Sequence, residues 1–203
     1  MTKVEAKAQA LRWLDEATLN GQPAGVELTA DYTDKFNYFL WNVLVYIAAI
    51  FKLEKTFTAD KETGVKKGGF YAYEMPKDFM ELERINVYSG TGVTQIFDFK
   101  KSADRVYLIP RSYIEKDGID VEFVYYGMPT EVESTAPDAT ELDVMPKAAQ
   151  LVPLRLAIEA TAGSDETNAI SAYLEGKFSN MVNNLLGNQQ GAFNVVVERV
   201  YAQ

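Results

Sequence analysis

The sequence contains no cysteine and no histidine among its 203 residues. Without cysteine the chain has no disulfide, no thiolate metal ligand and no thiol nucleophile. Without histidine it lacks the commonest general base and the imidazole ligand of zinc, iron or copper. Only carboxylate-bound Mg²⁺ or Ca²⁺ and unassisted serine, tyrosine or lysine chemistry remain. The composition does not forbid an enzyme but leaves it little chemistry, and the expectation is no catalytic residues, no metal site and no cofactor.

Strong clusters of positive charge are also missing. The formal net charge is −9, and the densest basic spots are the lysine pairs Lys66-Lys67 and Lys100-Lys101. Tight binding to DNA or RNA needs a basic stripe that neutralises phosphates, so the composition argues against it. The acidity is compatible with DNA that passes nearby without adhering.

No segment has the length of a membrane anchor. The longest apolar run extends from Leu40 to Phe51 and contains Asn42, whereas a membrane-spanning helix needs roughly 20 apolar residues. The first residues mix charged and apolar side chains and lack the apolar core of a signal peptide. We expect a chain that is made and kept in a reducing cytoplasm, with no membrane partner.

Helical periodicity marks both ends of the chain. Residues 3–18 and 34–52 carry apolar side chains three and four positions apart, which predicts two helices. The same pattern returns at 147–162, where Pro153 predicts a kink, and in a fourth helix that ends at Gly187. We expect these helices to pack together as one bundle.

Alternation replaces this periodicity in the middle of the chain. A polar, glycine-rich boundary at 60–69 is followed by runs with a period of two at 81–89, 93–99, 105–110 and 119–127. These runs predict a small antiparallel meander of four or five strands. An acidic segment rich in proline, threonine and serine then leads back to the helices.

The predicted fold class is α+β: a four-helix bundle interrupted by a small antiparallel β insertion, with an extended C-terminal tail. The expected bundle comprises residues 1–62 and 145–187. The β-rich insertion with its return linker is expected at 63–144, and the tail at 188–203.

The tail is the candidate binding segment. An apolar, strand-like terminus after a completed bundle is costly to expose, so it has to join a sheet or dock on a partner. Pairing with the chain's own β insertion and binding to another protein are both compatible with the pattern. The candidate partner-binding residues are Phe193, Val195, Val197, Val200 and Tyr201.

A Mg²⁺-dependent carboxylate enzyme is an alternative interpretation. It would draw on Asp98, Asp104, Asp120 and Glu122, which lie in or beside predicted strands. Asp120 and Glu122, however, lie on the polar face of an amphipathic strand, where solvated side chains are expected in any case. The sequence has no phosphate-binding, dinucleotide-binding or serine-hydrolase glycine motif. We therefore expect a protein that is not an enzyme.

The order of segments carries a family resemblance over nearly the whole chain. Its parts are AKAQALRWLDEA, DYTDKFNYFLWNVLVYIAAI, YEMPKDFMELERI, IDVEFVYYGMPTEV, ELDVMPKAAQLVPLRLA and SAYLEGKFSNMVNNLL. In pattern and order, rather than in one diagnostic motif, the chain resembles the head–tail adaptor proteins of tailed bacteriophages, also called connector or tail tubular proteins. The tail after Gly187 is shorter than some tails of that family.

The resemblance implies a structural virion protein at the head–tail junction. Copies of such adaptors form a ring, commonly dodecameric, that docks on the portal protein and meets a downstream tail or nozzle protein. DNA crosses the ring during ejection as transiting cargo. In the family the helices build the ring, the β insertion faces the tail and the C-terminal segment grips the portal. The competing hypothesis is a small protein-binding module, such as a phage-encoded regulator, without catalytic activity.

Overall fold

The computed structural model divides the chain into a helical unit, Met1–Phe51 with Thr130–Gln203, and a β unit, Lys52–Pro129. The residues that the structure describes are 1–19, 30–90, 92–116, 118–162 and 168–200. In chain order the elements are α1 (Lys3–Leu19), α2 (Ala30–Phe51), β1 (Glu54–Ala59), β2 (Val65–Lys67), β3 (Phe70–Glu74), β4 (Phe79–Ser89), β5 (Gly92–Ile96), β6 (Lys100–Ala103), β7 (Val106–Pro110), α3 (Arg111–Ile114), β8 (Ile119–Gly127), α4 (Leu151–Thr161) and α5 (Asn168–Val200).

α4 lies at the centre of the helical unit. Its sequence is apolar on nearly every side and almost all of its residues are buried, as expected of a helix that is surrounded by others. α1, α2 and α5 each pack against it. Pro153 lies in the first turn of α4, where the backbone N–H has no partner within the helix, so proline costs little there.

The predicted four-helix bundle with a small β insertion and an extended tail is wrong. Over the described residues the chain is α+β, with five α-helices and two antiparallel sheets of four strands each. A four-helix bundle needs four amphipathic helices around a shared core, but α4 is buried over nearly its whole length and takes the place of that core. The β unit is also more than an insertion of one meander, because it encloses a hydrophobic core of its own.

α2 has the apolar stripe that its periodicity predicts. Phe36, Leu40, Leu44 and Ile47 recur at helical spacing and are all buried in the core of the helical unit. The helix ends without a glycine or a proline, and Lys52, directly after it, adopts a left-handed φ of 54° that a glycine more often supplies.

The acidic segment after β8 is held on the N-terminus of α1. The buried Lys3 ammonium donates hydrogen bonds to the carbonyl oxygens of Ser134 and Ala136, both at 2.8 Å. Lys7 binds the carboxylate of Asp138 at 2.5 Å. Carbonyl oxygens of the segment also accept backbone N–H groups of the first turn of α1, which have no partner within a helix. The segment therefore caps α1.

This contact predicts a loss of stability in acid. The hydrogen bond from Lys7, and then its positive charge, hold the pKa of Asp138 below its ordinary value. Because the folded-state pKa is the lower one, the contribution is complete above about pH 4 and is lost as the pH falls through the folded-state pKa. Urea unfolding followed between pH 2 and pH 6 should show a shallower decline for Asp138→Asn than for the wild type.

A double-mutant cycle identifies the contact responsible. Lys7→Met should flatten the acid decline in the same way, and the double variant should add nothing further. Additive effects of the two substitutions would contradict the assignment to the Lys7–Asp138 pair. Both tryptophans, Trp13 and Trp41, belong to the helical unit, so tryptophan fluorescence reports this unit alone.

The β unit consists of two antiparallel sheets. The first has the strand order β1-β8-β4-β5 and the second has the order β2-β3-β7-β6. β4 and β5 form a tight hairpin in which Ser89 pairs with Gly92, and Gly90 takes the left-handed φ of 58° that such a turn requires. Aromatic rings fill the core of the β unit. Its buried aromatic residues are Tyr71, Tyr73, Tyr107, Phe123 and Tyr125.

α5 continues through the point where the sequence predicts a helix end. Gly187 keeps a helical backbone, and the helix runs on to Val200 instead of giving way to an extended tail. Glycine in a helix interior costs about 1 kcal/mol relative to alanine, and no proline follows that would stop the helix. Extension of an existing helix is far easier than nucleation, so it outweighs the β-branched valines of this segment.

Candidate functional site

The structure places the tail candidates on a helix rather than on a strand. Phe193, Val195, Val197 and Val200 lie within α5, and Tyr201 lies outside the described residues. On a strand, Phe193, Val195 and Val197 would share a face. A face with a period of two does not exist on a helical backbone, where residues three and four apart are neighbours. The predicted strand face of Phe193, Val195 and Val197 therefore does not exist in the structure.

A second candidate surface lies on α2, beside the stripe that is buried in the core of the helical unit. We call it the α2 outer face and define it as Tyr38, Asn42, Tyr46 and Ala49, all of which are exposed. Tyr38 is 72% exposed and Tyr46 is 44% exposed. The stretch 36–51 of α2 contains no charged residue. A helix face that is exposed, aromatic and uncharged is typical of a protein–protein contact.

Arg155 of α4 fixes one end of the α2 outer face. Its guanidinium lies 4.5 Å from the ring centroid of Tyr46 and also donates to the carboxylates of Glu159 and Glu175, the latter at 3.0 Å. The ring of Tyr46 also lies 6.0 Å from that of Phe178 on α5. One cation therefore joins α2, α4 and α5. These contacts hold the Tyr46 ring in place within a single copy of the chain.

Arg155, Tyr46, Glu159 and Glu175 form what we call the Arg155 cluster. Sequence interpretation did not predict it, although the residues around Arg155 gave an indication. Arg155 is a lone positive charge within the otherwise apolar stretch LVPLRLAI. A guanidinium in such a helix needs a carboxylate partner, and Glu159 follows one turn later. The contribution of Glu175, from a different helix, carries no comparable signal in the sequence.

The strand carboxylates are dispersed. Glu122 accepts hydrogen bonds from the Asn86 amide and the Tyr88 hydroxyl, both at 2.9 Å. The bond to Glu122 raises the pKa of Tyr88 above its ordinary value. Asp104 lies 3.6 Å from the Lys101 ammonium, and Asp98 and Asp120 are exposed. Among the described residues, no group of three or more aspartate or glutamate side chains is placed to hold a metal ion.

Over the described residues, no helix combines the length and the apolar character needed to cross a membrane. Neither a protein-family model nor a curated protein sequence matches the chain.

Proposed function

We propose that this chain is a structural virion protein that forms an adaptor ring between a phage portal and the tail and continues the DNA channel. The observation that carries the proposal is the α2 outer face. It is a long exposed helix surface with two tyrosines and no charge, and such a surface favours burial against another protein. The family resemblance supplies the kind of assembly.

A ring uses the same exposed patch on every copy, and the α2 outer face is a single patch of this kind. In a cyclic assembly each copy presents one patch to a different patch on its neighbour, so the contact repeats until the ring closes. α2 has 22 residues and spans about 33 Å. Tyr46, held by Arg155, provides a rigid anchor within that surface, and rigid aromatic anchors contribute most to interface energies.

The same proposal assigns a binding partner to each end of the ring. The C-terminal part of α5, which contains Phe193, Val197 and Val200, would grip the portal as a helix. The β unit would face a downstream tail or nozzle protein. The net charge of −9 favours a channel lining to which transiting DNA does not adhere.

The proposal predicts that a charge on the α2 outer face prevents ring formation. Tyr38→Glu places a carboxylate in the contact, and because Tyr38 is largely exposed in one copy, the fold of that copy should not change. Wild-type chain mixed with portal particles of the same phage should give rings of about twelve copies in electron micrographs. The variant should leave the portals bare, with unchanged helicity by circular dichroism.

Ala8→Glu on α1 is the matched control, because Ala8 is also exposed on a helix of the same unit. This variant should form rings as the wild type does. Rings of normal appearance from Tyr38→Glu would remove the α2 outer face from the interface. A wild-type chain that never binds portals and instead captures a single host protein as a monomer or dimer would favour the regulator hypothesis.

A further inference from the structure

The two sheets of the β unit differ in how their edges are protected. An edge strand exposes backbone N–H and C=O groups that can pair with another chain, and proteins commonly prevent this with lysines. Both edges of the second sheet carry such lysines, Lys66 and Lys67 on β2 and Lys100 and Lys101 on β6. All four lysines are exposed. The second sheet is therefore protected against pairing.

The first sheet lacks this protection at both edges. β5 has the sequence GVTQI and contains no charge. β1 contains Glu54 and Lys55, but Lys55 is bound to Asp78 at 2.8 Å and Glu54 lies 3.5 Å from Arg84. Both charges on β1 thus have partners within the β unit. Neither edge of this sheet presents an unpaired charge to an incoming strand.

β5 also presents apolar side chains beside its open edge. Val93 is 58% exposed, and Phe97, directly after the strand, is 79% exposed. Four of the five residues of β5 are exposed, so the strand has little cover within the described chain. β1 offers exposed threonines, Thr56 and Thr58, on alternate positions. An apolar edge and an uncharged threonine edge are compatible neighbours in a sheet.

Strand direction matches these two edges to each other. Every pair in the first sheet is antiparallel, and the sheet has four strands, so β1 and β5 run in opposite directions. When two copies are placed side by side in the same orientation, β5 of one is antiparallel to β1 of the next. A cyclic ring relates neighbouring copies in this way, because each copy keeps its orientation relative to the ring axis.

We propose that β5 of one copy pairs with β1 of the next copy, so that the first sheet continues from subunit to subunit. The partner is a second copy of this chain, joined by antiparallel strand addition. The inference rests on the proposed ring and adds to it a second contact, made by the β unit. Val93 and Phe97 pack on the neighbouring copy beside the new backbone hydrogen bonds.

Cysteine trapping tests the pairing, because the natural chain has no cysteine. Gln95→Cys and Thr56→Cys place one thiol on each edge, both at exposed positions. Within one copy these edges are separated by three strand spacings, about 14 Å, which no disulfide can span. Mild oxidation of the full-length double variant should therefore give a ladder of covalent multimers on a non-reducing gel. A mixture of the two single variants should give covalent dimers only.

This experiment tests the pairing of β5 with β1 independently of whether the chain forms a ring. Covalent dimers from Gln95→Cys alone would show a two-fold β5–β5 contact and would overturn it. Absence of a ladder overturns it too, even if micrographs show portal-bound rings and the proposed function stands. Adding Val93→Lys to the double variant should reduce the ladder about tenfold. Val65→Lys, at a 62% exposed site on the already protected β2 edge, should leave the ladder unchanged.

Discussion

Replacing Phe123 by alanine should lower the free energy of unfolding of the β unit by about 3–5 kcal/mol. Phe123 is completely buried on β8, which lies between β1 and β4 in the first sheet. Its ring lies 5.4 Å from that of Tyr73 and 5.9 Å from that of Phe57. The substitution removes a large apolar surface and opens a cavity that rigid strands cannot close. Near-ultraviolet circular dichroism during urea unfolding measures the loss.

Phe97→Ala is the matched control for this prediction. It removes the same atoms from a side chain that is mostly exposed in one copy, so stability should change by less than about 0.5 kcal/mol. A loss at Phe123 no larger than the loss at Phe97 would mean that Phe123 is not part of a packed core.

Leu44→Ala should destabilise the helical unit by about 2–5 kcal/mol. Leu44 is buried on the side of α2 that packs on α4, and α4 is itself surrounded by helices. Leu44 shares this core with buried side chains of α4 such as Leu154 and Leu156, and a packed core closes only in part over the space left by the isobutyl group. Tryptophan fluorescence reports this loss, because both tryptophans belong to the helical unit.

Tyr38→Ala provides the comparison on the same helix. Tyr38 lies on the α2 outer face, so truncating it should leave the unfolding midpoint almost unchanged. Equal destabilisation by the two substitutions would show that α2 is buried on both sides in a single copy, and the α2 outer face would then not be available to a neighbour.

The strongly amphipathic elements were predictable from sequence. α1 and α2, and the strands β4, β7 and β8, each combine a buried face with a less buried one, so their period is visible in the residues. β2 and β6 were missed because all of their residues are exposed, and a strand with no buried face shows no alternation. β1 was missed because Lys52, rather than a glycine or proline, separates it from α2.

The tail shows where local sequence is ambiguous. NVVVERV is short, apolar and β-branched, and a run of that length fits a strand or a buried helix equally well. Its place directly after a long helix decided the outcome in favour of α5. The Arg155 cluster and the edges of the first sheet depend on contacts between distant segments, and periodicity carries no information about those contacts.

The division of the chain has a consequence for synthesis on the ribosome. The β unit is contiguous, so all of its residues have been synthesised once Pro129 has emerged. α2, in contrast, lacks its packing partner until α4 has been synthesised. At about 5–20 residues per second, the interval from Phe51 to Thr161 lasts roughly 5–20 s. Throughout that time the apolar stripe of α2 is without its main packing partner. α2 is thus synthesised before the β unit but completes its packing after it, so its apolar side chains stay open to wrong contacts during this interval.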